Sequence, residues 1–319
     1  MNSLIYHSIA GYTTTQGAQY EKITLSYELF GKKLHTAPIV LVLHALTGNS
    51  DVLSDEKGWW KELIGKNKRI DTGQYTVISF NIPGNGYTGD TIENYQDFIA
   101  KDIAILVYKV LQKIGVDGLY ASIGGSLGGA ISWELALYKP GFIEYLIPIA
   151  CDYKSTDWIL AHTFVQENIL KQQDGLKIAR QMAMLFYRTQ ESFVRKFNRS
   201  KTTDEQQYNV ISWLIHHGEK LDSRYEIRAY LMMNRLMSSV GIELNDELFE
   251  KKLKSLKSKI IQIAVSSDIL YPKEENIKTK KLLDKLGITN EYFEIESDDG
   301  HDAFLIEQGQ IANYLKKIF

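Results

Sequence analysis

Three short runs without a single charge decide which folds are open to this chain. They are Ile39–Leu43 (IVLVL), Tyr75–Phe80 (YTVISF) and Gly118–Ile123 (GLYASI). A strand with no polar alternation must be covered on both faces, which happens in sheets flanked by helices. Between the second and third runs, residues 92–114 place Phe98, Ile99, Ile103, Leu106, Val107, Val110 and Leu111 at three- and four-residue spacing. That periodicity predicts a long helix, closed by Gly115. A helix over Ala130–Leu137 ends before Pro140, and Ile143–Ile149 reads as the next strand. Ile23–Phe30 alternates apolar and polar residues and reads as a half-solvated strand. Repeated strand–helix–strand order predicts an α/β fold with a mainly parallel sheet and helices on both faces.

After Asp152 the rhythm changes. Helical patterns follow one another at Trp158–Leu170, Leu176–Tyr187, Ser192–Phe197, Tyr208–His216, Tyr225–Met237 and Glu247–Leu256. Strand signals return at Ile260–Val265 and Glu291–Ile295, with helices near Lys273–Leu286 and Ala303–Ile318. The expected organisation is one core, residues 1–152 and 258–319, interrupted by a helical lid over 153–257. The lid is too apolar to be a disordered spacer.

Thirty-seven basic and 39 acidic side chains leave a net charge of -2, which gives no bulk electrostatic case for nucleic acid or an anionic membrane. The opening residues, Met1 to His7, lack the basic and apolar regions of a secretory signal, and no apolar stretch approaches a bilayer's width. The expectation is a soluble, cytoplasmic protein. One cysteine, Cys151, excludes an internal disulfide and argues against a cysteine-built metal site. Cys151 itself reads as a small, partly buried apolar residue.

Gly124-Gly125-Ser126-Leu127-Gly128-Gly129 lies between a predicted strand and a predicted helix. Gly-x-Ser-x-Gly in that setting is the nucleophile elbow, a sharp turn that lifts a serine hydroxyl above the sheet. Serine needs a base, and the base needs an orienting carboxylate. Asp268 follows strand Ile260–Val265, and His301 follows strand Glu291–Ile295. Serine, acid and histidine thus occur in the order this turn requires, each past a strand end. His44 opens the loop after Ile39–Leu43 and reads as loop-shaping. That loop and the residue after the serine nominate the backbone N–H groups of Leu46 and Leu127 as the oxyanion hole.

Other candidates compete less well. Gly84-Asn85-Gly86-Tyr87-Thr88-Gly89 fits G-x-G-x-x-G, but a dinucleotide site also wants an acid at a strand end ~20 residues on. Here that mark falls inside the long helix, so the segment reads as a loop lining the pocket near Ser126. His7, His35, His162, His216 and His217 lie in terminal, loop or lid positions, and no histidine pair has metal-ligand spacing.

Several segments together resemble the homoserine O-acetyltransferase family of α/β-hydrolase fold acyltransferases. They are His44-Ala45-Leu46-Thr47-Gly48, the glycine-rich elbow, Ser267-Asp268-Ile269-Leu270-Tyr271-Pro272 and Gly300-His301-Asp302-Ala303-Phe304-Leu305. Within the lid, Ala183-Met184-Leu185-Phe186-Tyr187-Arg188-Thr189, Ser192-Phe193 and Arg195-Lys196-Phe197 match as well. The likeness runs from about Leu25 to Phe319. It implies an acyl-enzyme at Ser126, acetylated by acetyl-CoA as donor substrate and then attacked by the homoserine hydroxyl, in methionine biosynthesis. It implies no resident cofactor. It assigns Arg188 to the amino-acid carboxylate and Asp302 to the ammonium, and it implies a homodimer through the inserted helices.

Two segments depart from the family pattern. Gly86-Tyr87-Thr88-Gly89 stands where Gly-Ser-Thr-Gly is common, and Asn234 to Ser239 lacks the usual acidic and histidine pair. Serine as acceptor, succinyl-CoA as donor, and a plain serine esterase with the same triad stay open beside the leading reading.

Overall fold

The computed structural model describes residues 4–54, 58–204, 206–243 and 245–319. Its main sheet has eight strands: β1 (Ile5–Thr13), β2 (Gln19–Gly31), β3 (Ile39–Leu43), β4 (Thr76–Phe80), β5 (Leu119–Gly125), β6 (Ile143–Ile149), β7 (Lys259–Val265) and β8 (Asn290–Ile295). They lie in the order β1-β2-β4-β3-β5-β6-β7-β8. The pairs β1–β2 and β2–β4 are antiparallel, and every other neighbouring pair is parallel.

The charge-free runs behave as strands covered on both sides. Ile39, Leu41 and Leu43 of β3 join one apolar cluster, while Val40 and Val42 join the cluster on the opposite face. Alternate side chains leave a strand in opposite directions, so a central strand has no solvent face to make polar. Helices α1 (Ala100–Lys113) and α2 (Leu127–Tyr138) supply much of the first cluster, and α11 (Gln308–Tyr314) contributes Ile311 to the second.

Between β6 and β7 the chain forms α3 (Asp157–Leu170), α4 (Gly175–Tyr187), α5 (Gln190–Phe197), α6 (Asn209–Asp222), α7 (Ile227–Ser238) and α8 (Asp246–Ser255). Helix α9 (Lys273–Lys285) links β7 to β8. No helix among the described residues is long and apolar enough to cross a membrane.

Three elements differ from expectation. Strand β1, which the alternation did not announce, pairs with β2 in the register Ile9↔Ile23. The long helix begins at Ala100 rather than 92, because Ile99 is extended and donates its N–H to Asp102 Oδ2. Asp102 is fully buried and also receives Tyr12 Oη and the Thr15 N–H, at 2.8 and 2.7 Å, so the helix start is pinned from β1 and its turn. The last helix divides into α10 (Ala303–Ile306) and α11 at Glu307, whose ψ of 42 leaves the helical range. Trp60 Nε1 donates to the Phe304 carbonyl just before the break.

Candidate active site

Parallel strands send their C-terminal ends to one edge of the sheet, and every candidate group leaves from that edge. Ser126 follows β5, Asp268 follows β7, His301 follows β8, and Leu46 follows β3. Ser126 takes φ 53 and ψ −127, a strained backbone for a residue with a side chain. The glycines around it explain how the turn closes. A Cβ on Gly128 would lie 2.0 Å from the Leu43 carbonyl oxygen, and one on Gly124 would lie 2.4 Å from the Gly128 carbonyl carbon. Only hydrogen fits where α2 crosses the ends of β3 and β5.

The strained turn aims the serine at the base. Ser126 Oγ is 2.9 Å from His301 Nε2, and His301 Nδ1 is 2.6 Å from Asp268 Oδ2. All three side chains are buried. The other Asp268 oxygen accepts the N–H groups of Leu270 and Tyr271 at 2.8 and 2.9 Å, which fixes the carboxylate. Nδ1 therefore carries a proton toward Asp268, leaving Nε2 to accept from the serine hydroxyl.

Leu46 lies on the loop leaving β3, and Leu127 opens α2 directly after Ser126 at the end of the adjacent strand β5. Among the described residues neither N–H donates to a protein acceptor. Tyr225 Oη donates to the Leu46 carbonyl at 2.9 Å and holds that loop from the lid side. His44 is fully buried: its Nδ1–H donates to the Ala45 carbonyl at 2.7 Å and its Nε2 accepts the Ile82 N–H at 3.0 Å. Burial lowers its pKa to about 4, so it braces the loop as a neutral imidazole. The Gly84–Gly89 segment joins the same brace, with Asn85 Nδ2 3.1 Å from His44 Nε2.

Arg188 and Asp302 both flank His301, yet they pair with each other. Arg188 Nε is 3.0 Å from Asp302 Oδ2, off the line of its N–H bond, and Arg188 NH1 is 3.0 Å from Asp299 Oδ1. Arg195 NH2 reaches the same Asp299 oxygen, and its NH1 meets Asp298 Oδ2, each at 3.0 Å. Thr189 Oγ1 donates to the Asp298 carbonyl. Gly300 packs so closely that a Cβ would meet the Tyr187 carbonyl oxygen at 2.9 Å. The lid is thereby clamped to the loop that carries His301. Burial raises the Asp302 pKa, an effect opposed by Arg188, Arg180 and His301.

The sequence reading passed over several neighbours. Tyr271 stacks on His301 and Tyr187 lies beside it, both with ring centroids at 5.6 Å, while Phe304 meets it edge-on at 5.4 Å. His162, dismissed as a lid histidine, is buried near His301, and burial lowers its pKa to about 4. The doublet Asp298-Asp299, two charges next to a catalytic histidine motif, was the signal available for the clamp. Ser238 and Ser239, at the family departure, bond to Arg235 O, Leu236 O and the Ala100 N–H, a helix-end role away from the triad. Cys151 is fully buried and unpaired. No cluster of three or more metal-ligating side chains occurs among the described residues.

The α/β hydrolase fold family model matches residues 38–308. A homoserine O-acetyltransferase from Trichormus variabilis is 32% identical across 95% of this chain and 89% of its own length. The chain belongs to the homoserine O-acetyltransferase family. Within it, a crystal structure of homoserine O-acetyltransferase from Staphylococcus aureus superposes with a TM-score of 0.83 at 26% identity, covering 99% of this chain and 95% of that one. The fold is shared more widely: esterase E22 gives a TM-score of 0.87 at 18% identity, over the full length of both chains. Membership of the acetyltransferase family makes this an enzyme chain of the acyltransferase type.

Proposed function

We propose that this protein transfers an acetyl group from acetyl-CoA to the hydroxyl of homoserine through an acetyl-Ser126 intermediate. The observation that carries the reading is the unbroken chain from Ser126 Oγ through His301 to Asp268, set beside a charged pair contributed partly by the lid. In the first half-reaction Ser126 Oγ attacks the thioester carbonyl while His301 Nε2 takes its proton. The Leu46 and Leu127 N–H groups receive the oxyanion, and collapse expels the CoA sulfur, which leaves with the proton from His301. In the second, His301 takes the acceptor's hydroxyl proton as its oxygen attacks the acetyl carbonyl. Collapse restores the Ser126 hydroxyl. Asp268 keeps Nδ1 protonated throughout.

Water competes with the acceptor for the acetyl-enzyme, so a lid that keeps water out favours transfer. Arg188 and Asp302 supply the cation and anion a zwitterionic acceptor needs, with the second terminal nitrogen of Arg188 still uncommitted. The reading includes a cytoplasmic location, a place in methionine biosynthesis and a homodimer. Phe164, Val194 and Leu185 of the inserted helices, exposed by 66, 58 and 51%, support a contact between lids.

The alternative is ester hydrolysis by the same triad, favoured by one observation: the Arg188 charge is already compensated by Asp299 and Asp302. Serine as acceptor or a succinyl donor are variants of the leading reading. Following thiol release from acetyl-CoA decides between them. Release that depends on homoserine, with acetylated protein accumulating in its absence, supports transfer. Release indifferent to every hydroxy amino acid, with fast cleavage of aryl acetates, makes the protein an esterase.

A further inference from the structure

The loop that carries Leu46 is anchored at both ends by one buried polar relay, which starts outside the triad at Glu28 on β2. Ser50 Oγ donates to Glu28 Oε2 at 2.6 Å. Asn81, one residue past β4, donates from Nδ2 to Ser50 Oγ at 3.0 Å, and its Oδ1 accepts the Ser50 N–H at 2.9 Å. The same Oδ1 lies 3.3 Å from Asn85 Nδ2, which also reaches His44 Nε2 at 3.1 Å. All five side chains are buried. At the far end His44 Nδ1–H donates to the Ala45 carbonyl at 2.7 Å, and the Gly48 N–H reaches the same oxygen at 2.9 Å. The Ala45 carbonyl and the Leu46 N–H are the two ends of a single planar peptide. Fixing the first therefore fixes the direction of the second, and donation to the carbonyl makes the N–H a stronger donor.

We propose that Glu28 is a positioning residue for the oxyanion hole, acting through Ser50, Asn81, Asn85 and His44 on the Leu46 N–H. This role rests on the acyl-enzyme reading, in its transfer or its hydrolysis form, and deepens it. Each link sets the donor direction of the next. An ionised carboxylate only accepts, so the Ser50 hydroxyl turns its hydrogen to Glu28 and its lone pairs to Asn81. Asn81 then shows its amide hydrogens to Ser50 Oγ and its oxygen to Asn85. Asn85 is turned the same way by the Tyr87 N–H, which donates to its Oδ1 at 3.1 Å. His44 Nε2, facing Asn85 Nδ2 and the Ile82 N–H, is left as an acceptor, and the ring proton sits on Nδ1 against Ala45. Glu28→Gln offers Ser50 an N–H as well as an oxygen, so the direction is no longer imposed.

The test measures acylation of Ser126 by para-nitrophenyl acetate and by its thiono analogue, in which C=S replaces C=O, each rate divided by the rate with hydroxide. Should the aryl esters fail as donors, acetyl-CoA and its dithioacetyl analogue replace them. Sulfur is a weak hydrogen-bond acceptor, so a working oxyanion hole favours the oxygen ester. Glu28→Gln should lower acylation by the oxygen ester about tenfold and by the thiono ester less than about twofold, part of the loss that follows outright removal of an oxyanion donor. If Glu28→Gln does not fold, Asn85→Ala, which cuts the relay beside His44, carries the same comparison. An equal fall for both esters means that Glu28 only supports the fold, and no fall means that it is idle; either result overturns the proposal. A wild type that favours neither ester overturns it too. Homoserine takes no part here, so a protein that hydrolyses instead of transferring sinks the transfer reading and leaves the relay standing. A wild type acylated at Ser126 by no acetyl donor overturns both.

Discussion

Arg188 on the inserted segment and Asp299, two residues ahead of His301, are 111 residues apart in the chain and 3.0 Å apart in space. Arg195 shares the same oxygen of Asp299, so the lid grips the histidine loop at two points. Arg195 is 55% exposed, and an exposed pair contributes at most ~1 kcal/mol to stability. Its effect on geometry is larger, because small displacements of a catalytic base are costly. Arg195→Gln should leave the unfolding midpoint nearly unchanged while lowering kcat on the order of tenfold. High salt should bring the wild type toward the variant. A kcat equal to wild type at every salt concentration would mean the loop holds His301 unaided.

Asp268 receives the Nδ1–H of His301 at 2.6 Å and so selects the tautomer. Asp268→Asn keeps the shape but can present an amide N–H to Nδ1, turning the proton to the wrong nitrogen. Activity should fall by ~10⁴ with little change in fold. Retention of a tenth of wild-type kcat would remove Asp268 from the triad.

Tyr225 is the lid's hold on the expected oxyanion loop, through its bond to the Leu46 carbonyl. Tyr225→Phe removes that bond and little else. The expected cost is about 1 kcal/mol of stability, together with a several-fold slower acylation by acetyl-CoA. Acylation at the wild-type rate, read by rapid-quench mass spectrometry, would show that the loop is held without it.

Glu134 on α2 is buried, with Oε1 accepting the Gly241 N–H at 2.8 Å, and burial raises its pKa from 4.5 to about 7. Between those values the folded state holds a proton that the unfolded state has released. Stability from this group is therefore full below pH 4.5 and is lost as pH rises through 7. Glu134→Gln lacks that loss, so its advantage over wild type should grow from nothing at acid pH to on the order of 3 kcal/mol above pH 7. His44 works in the opposite sense: its pKa falls from 6.5 to about 4, so its contribution is lost as pH drops across that range. Taking the variant-minus-wild-type difference in urea unfolding cancels the His44 term. A difference that does not change with pH would show that Glu134 titrates alike in the folded and the unfolded chain.

Phe164 is the most exposed large apolar side chain on α3. If the lids pair, Phe164→Glu should convert the dimer to monomer in sedimentation velocity, since an unpaired buried charge is strongly disfavoured. A wild type that sediments as a monomer at assay concentration ends the dimer proposal.

Much of this molecule was legible before its coordinates. The charge-free runs located β3, β4 and β5, and the elbow glycines located Ser126, because each depends on short-range pattern: two-sided burial in one case, close backbone approach in the other. Element ends were read less well. The start of α1 is set by Asp102 bonding back to Tyr12 and Thr15, roughly ninety residues earlier, which no local periodicity records.

The sequence by itself determined the core strands other than β1 and the candidate triad, since burial patterns and turn chemistry act over a few residues. Tertiary structure alone decided who partners whom. That Arg188 is held by Asp299 and Asp302 and that Tyr225 reaches Leu46 are outcomes of packing a lid across the open end of a sheet. Ion pairs and long hydrogen bonds have no period along a chain; they exist only where the backbone has already brought their ends within a few ångströms.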